Sequence, residues 1–116
     1  VMPTIYSDAD GRYRGFDGAV HVADGFDYYS DLSLWDTFRT LHPWLTLVYP
    51  EVQSDIVTSL LKMYEQDGFL PIWPVARRDS GTMIGASAEL AIADAYVKGV
   101  RDYDVDLAYE AVTRSG

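Results

Sequence analysis

Residues 33–45, SLWDTFRTLHPWL, combine side chains that a helix usually keeps apart. Trp35, Phe38 and Trp44 call for burial, whereas Asp36, Arg39 and His42 call for water or a partner. Either these polar groups are structural and satisfied, or they face something that binds. Leu34, Phe38, Leu41, Leu45 and Val48 recur at spacings of three and four, which predicts a helical face from about Asp31, with Ser30 or Asp31 as its cap. Pro43 removes a backbone donor, so a kink or break is expected near residues 39–43.

Downstream, PEVQSDIVTSLLKMYEQDG reads as a second helix. Pro50 suits its entrance, Glu51 complements the dipole, Ile56, Leu60 and Met63 form a buried stripe, and Gly68 stops it. In FLPIWPVARRDSGT, Pro71 and Pro74 bar a regular helix, which predicts an extended connection with Phe69 and Trp73 as apolar anchors. A third helix is expected through IGASAELAIADAYVKGV. Its small inner face of Ala88, Ala91, Ile92, Ala95, Tyr96 and Gly99 would admit a neighbouring helix closely. Asp104 is expected to cap a fourth helix with Asp106 in its first turn and Arg114 in its last.

Upstream, repeated Asp-Gly pairs mark turns, and RYRGF and AVHVA fit the short strands of a hairpin. DADG resembles a calcium loop only superficially, because Gly11 follows Asp10 directly and Arg12 and Arg14 bring the wrong charge; it is expected to be a turn. The fold class is therefore mainly α, built from helical hairpins, with a short N-terminal β-hairpin: residues 1–30 form hairpin and turns, and residues 31–116 form the helical part.

At 116 residues, 48% hydrophobic and 23% charged, the chain can bury a core of one small domain. A net charge of −9 without basic clusters argues against a nucleic-acid backbone as partner. With no cysteine, disulfides, thiol catalysis and thiolate metal sites are excluded. No apolar run reaches membrane-spanning length, and the start lacks the layout of a signal peptide. No initiator Met leads the chain and Gly116 follows a helical pattern directly, so a piece of something longer is expected.

Two readings of the opening stretch stay open on the residues alone. In one, Asp36 pairs with Arg39 at i+3 beneath a half-buried Trp35. In the other, Trp35 offers a ring to the apolar face of a sugar, and Asp36 and Arg39 offer fixed polar groups to its hydroxyls. Asp94 and Lys98 read as a surface salt bridge. Arg77 and Arg78 could grip an anion but read better as solvated surface. His21 and His42 lack the spacing of a zinc site, and no nucleophile elbow, Walker loop or dinucleotide fingerprint is present. Glycoside hydrolysis would need two facing carboxyl groups roughly 5 to 10 Å apart, and no such pair is legible.

The order of motifs adds a resemblance. DGRYRGFDG, then YYSDLSLWDTFRTLHPWLTLVYPE, SLLKMYEQDGFLPIWP, TMIG and AIADAYVKG resemble glycoside hydrolase family 92, the calcium-dependent exo-acting α-mannosidases, from about Ile5 to Ala111. The resemblance implies a partial catalytic domain over residues 1–116, part of an (α/α)₆ toroid ringing a pocket. It implies that Asp36 binds hydroxyls of a terminal mannose, with Trp35, Thr37 and Arg39 as supporting shell. Trp73 and the turn Thr82–Gly85 would border the same pocket. It further implies inverting hydrolysis of α-mannosides, α-1,2-linked ones in particular, in which calcium engages O2 and O3 of the sugar. The partners would be mannose-containing glycans and the remainder of the catalytic domain, and the compartment secreted or periplasmic.

Two departures qualify it. Many relatives carry Asp-His-Ala or Asp-Ser-Ala after MIG, where this chain has Ala86-Ser87-Ala88. The family's general acid, its base aspartates and its calcium-binding part belong to later motifs, so no catalytic residue and no metal ligand is assigned here. Two further readings follow from the residues: a self-associating helical module, given the surplus of Trp35, Trp44, Phe69 and Trp73, and a minimal hydrolase using Asp36 with Asp31 or Glu89.

Overall fold

The computed structural model describes residues 3–115; Val1, Met2 and Gly116 lie outside the described residues. The chain opens with four short strands: β1 (Thr4–Ile5), β2 (Arg12–Arg14), β3 (Val20–Val22) and β4 (Tyr29–Ser30). The predicted hairpin forms, β2 pairing antiparallel with β3 in the register Tyr13↔His21. DADG is a turn, with the Gly11 N–H donating to the Asp8 carbonyl and Gly11 at φ +84°, while the Asp10 carboxylate is taken by Arg12. The pairing of β1 with β4 was not foreseen; two-residue strands carry no periodicity to read.

The helices follow: α1 (Leu34–Thr37), α2 (Leu41–Val48) and α3 (Pro50–Asp67). The expected break falls at residues 38–40, and Pro43 sits in the first turn of α2, where its missing N–H costs nothing. Because that break resets the helical phase, the predicted stripe does not run through: Leu34 and Leu45 are buried, but Val48 is exposed. Neither Ser30 nor Asp31 caps the helix. Ser30 belongs to β4, Asp31 stands at φ +56°, and Ser33 occupies the N-cap. Helix α3 starts and stops where Pro50 and Gly68 predict, Gly68 closing it at φ +90°. Ile56, Leu60 and Met63 are wholly buried, each worth about 1.5–3 kcal/mol of transfer free energy.

Between α3 and the next helix, the stretch read as an extended connection is extended, and within it β5 (Pro74–Val75) pairs with β6 (Arg78–Asp79) in a small hairpin that was not foreseen. Phe69 is exposed rather than an anchor. Its neighbour Leu70 is buried and tied by its N–H to Ser115 Oγ, and consecutive residues of extended chain face opposite ways. Helices α4 (Ser87–Val97) and α5 (Val105–Ser115) complete the chain. Ala88, Ala91, Ile92 and Ala95 are buried on α4, which packs against α1, α2, α3 and α5. Tyr96 lies instead at the surface beneath Arg101, and Gly99 ends α4 at φ +95°. Val100 and Gly99 donate to the carbonyls of Ala95 and Tyr96, a left-handed closure that favours glycine. Asp104 accepts the Leu107 N–H as the predicted cap of α5.

Two buried hydroxyls, those of Tyr28 and Tyr103, have no hydrogen-bond partner among the described residues, and Tyr28 is the deeper of the two. Tyr28 stacks on Tyr13 at 3.8 Å and is fully buried. Burial accordingly raises its pKa. Tyr28→Phe is expected to stabilise the fold by about 1 kcal/mol, since an unsatisfied buried hydroxyl costs more than it returns. Urea denaturation would show it, and a loss of stability would mean that the hydroxyl is bonded.

Candidate functional site

A single helical turn cannot hold itself in water, so α1 is shaped by what its residues reach. Leu34 and Thr37 point into the core, which turns Trp35 and Asp36 outward. The Asp36 carboxylate accepts a hydrogen bond from Ser33 Oγ. The expected ion pair with Arg39 is not formed: α1 ends at Thr37, so positions 36 and 39 no longer share a regular turn. Arg39 instead lays its guanidinium 4.4 Å from the centre of the Trp35 ring and 4.9 Å from that of Phe38, and donates from Nε to the Trp35 carbonyl. Such stacking at an exposed site contributes about 0.5–1 kcal/mol. It also leaves Asp36, next to Trp35 in sequence, a solvent-facing carboxylate with no cation neutralising it among the described residues.

Thr37 is buried, and its hydroxyl meets His42 Nε2 at 2.8 Å, so it backs the turn rather than facing solvent. His42 Nδ1 in turn lies 3.0 Å from Gln53 Oε1 on α3. His42 is thus a core residue. His21 is a surface one, bonded to the Asp17 carboxylate.

Trp73 is half-buried in the loop before β5. The N–H groups of Ile72 and Trp73 donate to the two oxygens of Asp79, and the Ser80 N–H donates to the Trp73 carbonyl. That loop is fastened to the segment entering α1. Leu32 N–H donates to the Pro74 carbonyl, Ser30 Oγ to the Ala76 carbonyl, and Ala76 N–H to Asp31 Oδ1. The segments carrying Trp73 and Asp36 are therefore tied together, and the Asp31 carboxylate is occupied in tying them. The clamp and the His42–Gln53 link both join residues far apart in sequence, so no spacing signalled them. The turn Thr82–Gly85 is wholly exposed, with Met83 at φ +71°.

Ala86 occupies the N-cap of helix α4 but its side chain gives no cap, and Glu89 lies in the first turn. Partial burial raises the pKa of Glu89. Ala86→Asp would create the capping-box spacing with Glu89 and place a negative charge at the positive end of the helix. A gain of about 1 kcal/mol is expected, read as a rise in thermal midpoint that 1 M salt only partly removes. The anion-binding possibility at Arg77 and Arg78 gains no structural support, both side chains being exposed. Asp94 and Lys98 form the expected surface bridge at 2.8 Å.

Among the described residues, no three His, Asp or Glu side chains converge on one point. No helix among them is long and apolar enough to cross a membrane.

Comparison with known proteins gives a consistent picture. Residues 1–116 match the family described as the glycosyl hydrolase family 92 catalytic domain. The family GH92 α-mannosidase BT3965 of Bacteroides thetaiotaomicron, solved with mannoimidazole, is 42% identical and superposes with a TM-score of 0.91 over 96% of this chain. The inverting mannosidase BT2199 of the same organism is 37% identical, with a TM-score of 0.78 over 90% of this chain. An uncharacterized secreted glycosidase of Arthroderma benhamiae is 42% identical over 65 residues, 55% of this chain and 8% of that protein. The chain spans only 15% and 14% of the lengths of the two solved mannosidases. It belongs to glycosyl hydrolase family 92.

Proposed function

We propose that this chain forms one wall of the mannose-binding pocket of an inverting, exo-acting α-mannosidase, and that it is catalytic only within the complete domain. The observation that carries this reading is the Asp36 carboxylate. It is exposed, bonded only to Ser33 among the described side chains, and set beside Trp35 on a turn fixed from beneath. A carboxylate so placed accepts from vicinal sugar hydroxyls, while the indole covers an apolar C–H face. Arg39 holds the indole in place, and Trp73 borders the same pocket across the clamp to Ala76. The general acid, the base and any calcium ligands lie in the rest of the domain. The likeness to a secreted glycosidase supports an extracellular or periplasmic setting and glycans as substrates. The toroid would arise when the remaining helices cover surfaces that are bare here, such as Leu47, Val97 and Tyr109, exposed by 82%, 77% and 74%.

The experiment is hydrolysis of α-1,2-linked mannobiose by the purified chain and by the complete catalytic domain, each with calcium and with chelator. The domain is expected to release mannose with inverted anomeric configuration and to lose activity with chelator, while the chain alone is inactive. Turnover by the 116 residues would place the catalytic carboxylates among them and overturn the reading.

A second reading rests on the apolar groove of about 420 Å³ between α4 and α5, lined by Ile92, Tyr96, Val97, Tyr109 and Val112. In isolation the chain would bury this face by self-association. Light scattering decides: a mass that rises with concentration supports it, and a monomer at all concentrations removes it.

A further inference from the structure

Thr37, His42 and Gln53 form a chain of side-chain hydrogen bonds across three helices, and all three are buried. A glutamine side-chain oxygen can only accept, so with Gln53 Oε1 facing it the His42 ring carries its hydrogen on Nδ1. Nε2 is then an acceptor, and the hydroxyl of Thr37 must donate to it. The His42 ring is held at both nitrogens by these two bonds, and the residue's backbone carbonyl accepts from Thr46 Oγ1 within α2. Besides buried Leu34 and the clamp before it, Thr37 is the side chain that ties the C-terminal end of four-residue α1 to the core, and it adjoins Asp36 directly.

We propose that His42 is a positioning residue: by accepting from Thr37 while donating to Gln53, it sets the rotation of α1 and so the aim of the Asp36 carboxylate at its sugar. This rests on the reading of Asp36 as a sugar contact and adds the residue that controls it. His42 touches no substrate, being fully buried. Burial, only partly opposed by the Gln53 bond, holds its pKa below the ordinary histidine value, so the ring is uncharged at neutral pH. Of the acids on α1, α3 and α4, Asp36 is engaged with Ser33, Asp55 with the Asp27 N–H, and Asp94 with Lys98. No charge on α1, α3 or α4 contributes to the shift. A depressed histidine pKa stabilises the arrangement above the unfolded value of about 6.5, and that contribution is lost as pH falls toward the folded pKa. Protonation would also put a donor where Thr37 needs an acceptor.

The test uses the complete catalytic domain and α-1,2-linked mannobiose. His42→Ala is expected to raise KM on the order of 10- to 100-fold, as small misplacements of a binding group do. His42→Gln, whose Oε1 can stand where Nε2 stood, should recover most of that loss. The wild type should lose affinity as pH falls below the ordinary histidine range, and His42→Gln should lack that acidic limb. In an Asp36→Asn background, His42→Ala should add little further effect, because it acts through the carboxylate already removed. Additive losses would overturn the proposal. If Asp36→Asn alone left KM and kcat untouched, the sugar-binding reading would fall instead, so the two failures are distinguishable. Should His42→Ala not fold, the wild type still decides: nitrogen NMR must find the proton on Nδ1, and a proton on Nε2 refutes the assignment.

Discussion

Asp36→Asn is expected to lower kcat/KM of the complete catalytic domain for an α-mannoside by about 10²- to 10⁴-fold while leaving the fold intact. A hydrogen bond to a charged group contributes about 1.5–3 kcal/mol, so two bonds to vicinal hydroxyls amount to about 3–6 kcal/mol. Each 1.4 kcal/mol is about a factor of ten. Asparagine keeps the shape and can still accept from Ser33, but it loses the charge and one acceptor. Because Asp36 is exposed and bonded to no cation, the thermal midpoint should move by no more than the equivalent of about 0.5 kcal/mol. Steady-state kinetics and a melt on one preparation check both halves. Unchanged kinetics would remove Asp36 from the pocket, and a large drop in midpoint would make it structural.

The second large effect concerns the core. Leu60→Ala should destabilise the chain by about 2–5 kcal/mol, because Leu60 is wholly buried at mid-α3 and its removal leaves a cavity among well-packed neighbours. Against a total of about 5–15 kcal/mol for a domain, that is a large share. Leu47→Ala, on the exposed side of α2, should move the chain by no more than about 0.5 kcal/mol. Urea denaturation of the two variants separates them. Equal losses would mean that α3 does not form the centre of the fold.

These expectations differ in how they were reached. The bounds of α3 were legible because Pro50 and Gly68 act on their own turns, and the cap at Asp104 and the β2–β3 hairpin were legible for the same local reason. The start of α1 was not. Ser30 and Asp31 have the chemistry of caps, but both are claimed by Ala76, 46 and 45 residues away. Phe69 looked like an anchor until the bond from Leu70 to Ser115 fixed which of the two turns inward. At the site, Trp35 and Asp36 fall side by side on the surface as their spacing suggested. The Asp36–Arg39 pair was a fair inference from an unbroken helix, which this stretch does not form. Thr37 and His42 were seen as part of a motif, but their link to Gln53 crosses between helices, where periodicity carries no information.

The clamp between Ala76 and the entry to α1 bears on the order in which the chain acquires its structure. Helix α3 and the β2–β3 hairpin are made by contacts within about twenty residues, and such elements form early because little loop entropy opposes them. The turn bearing Asp36 waits for a segment some 45 residues further along to arrive. During synthesis, the ribosome must release the whole of α3 and the loop beyond it before that turn can settle. The edge that carries Trp35 and Asp36 is thus a late product of folding, completed on a frame already built.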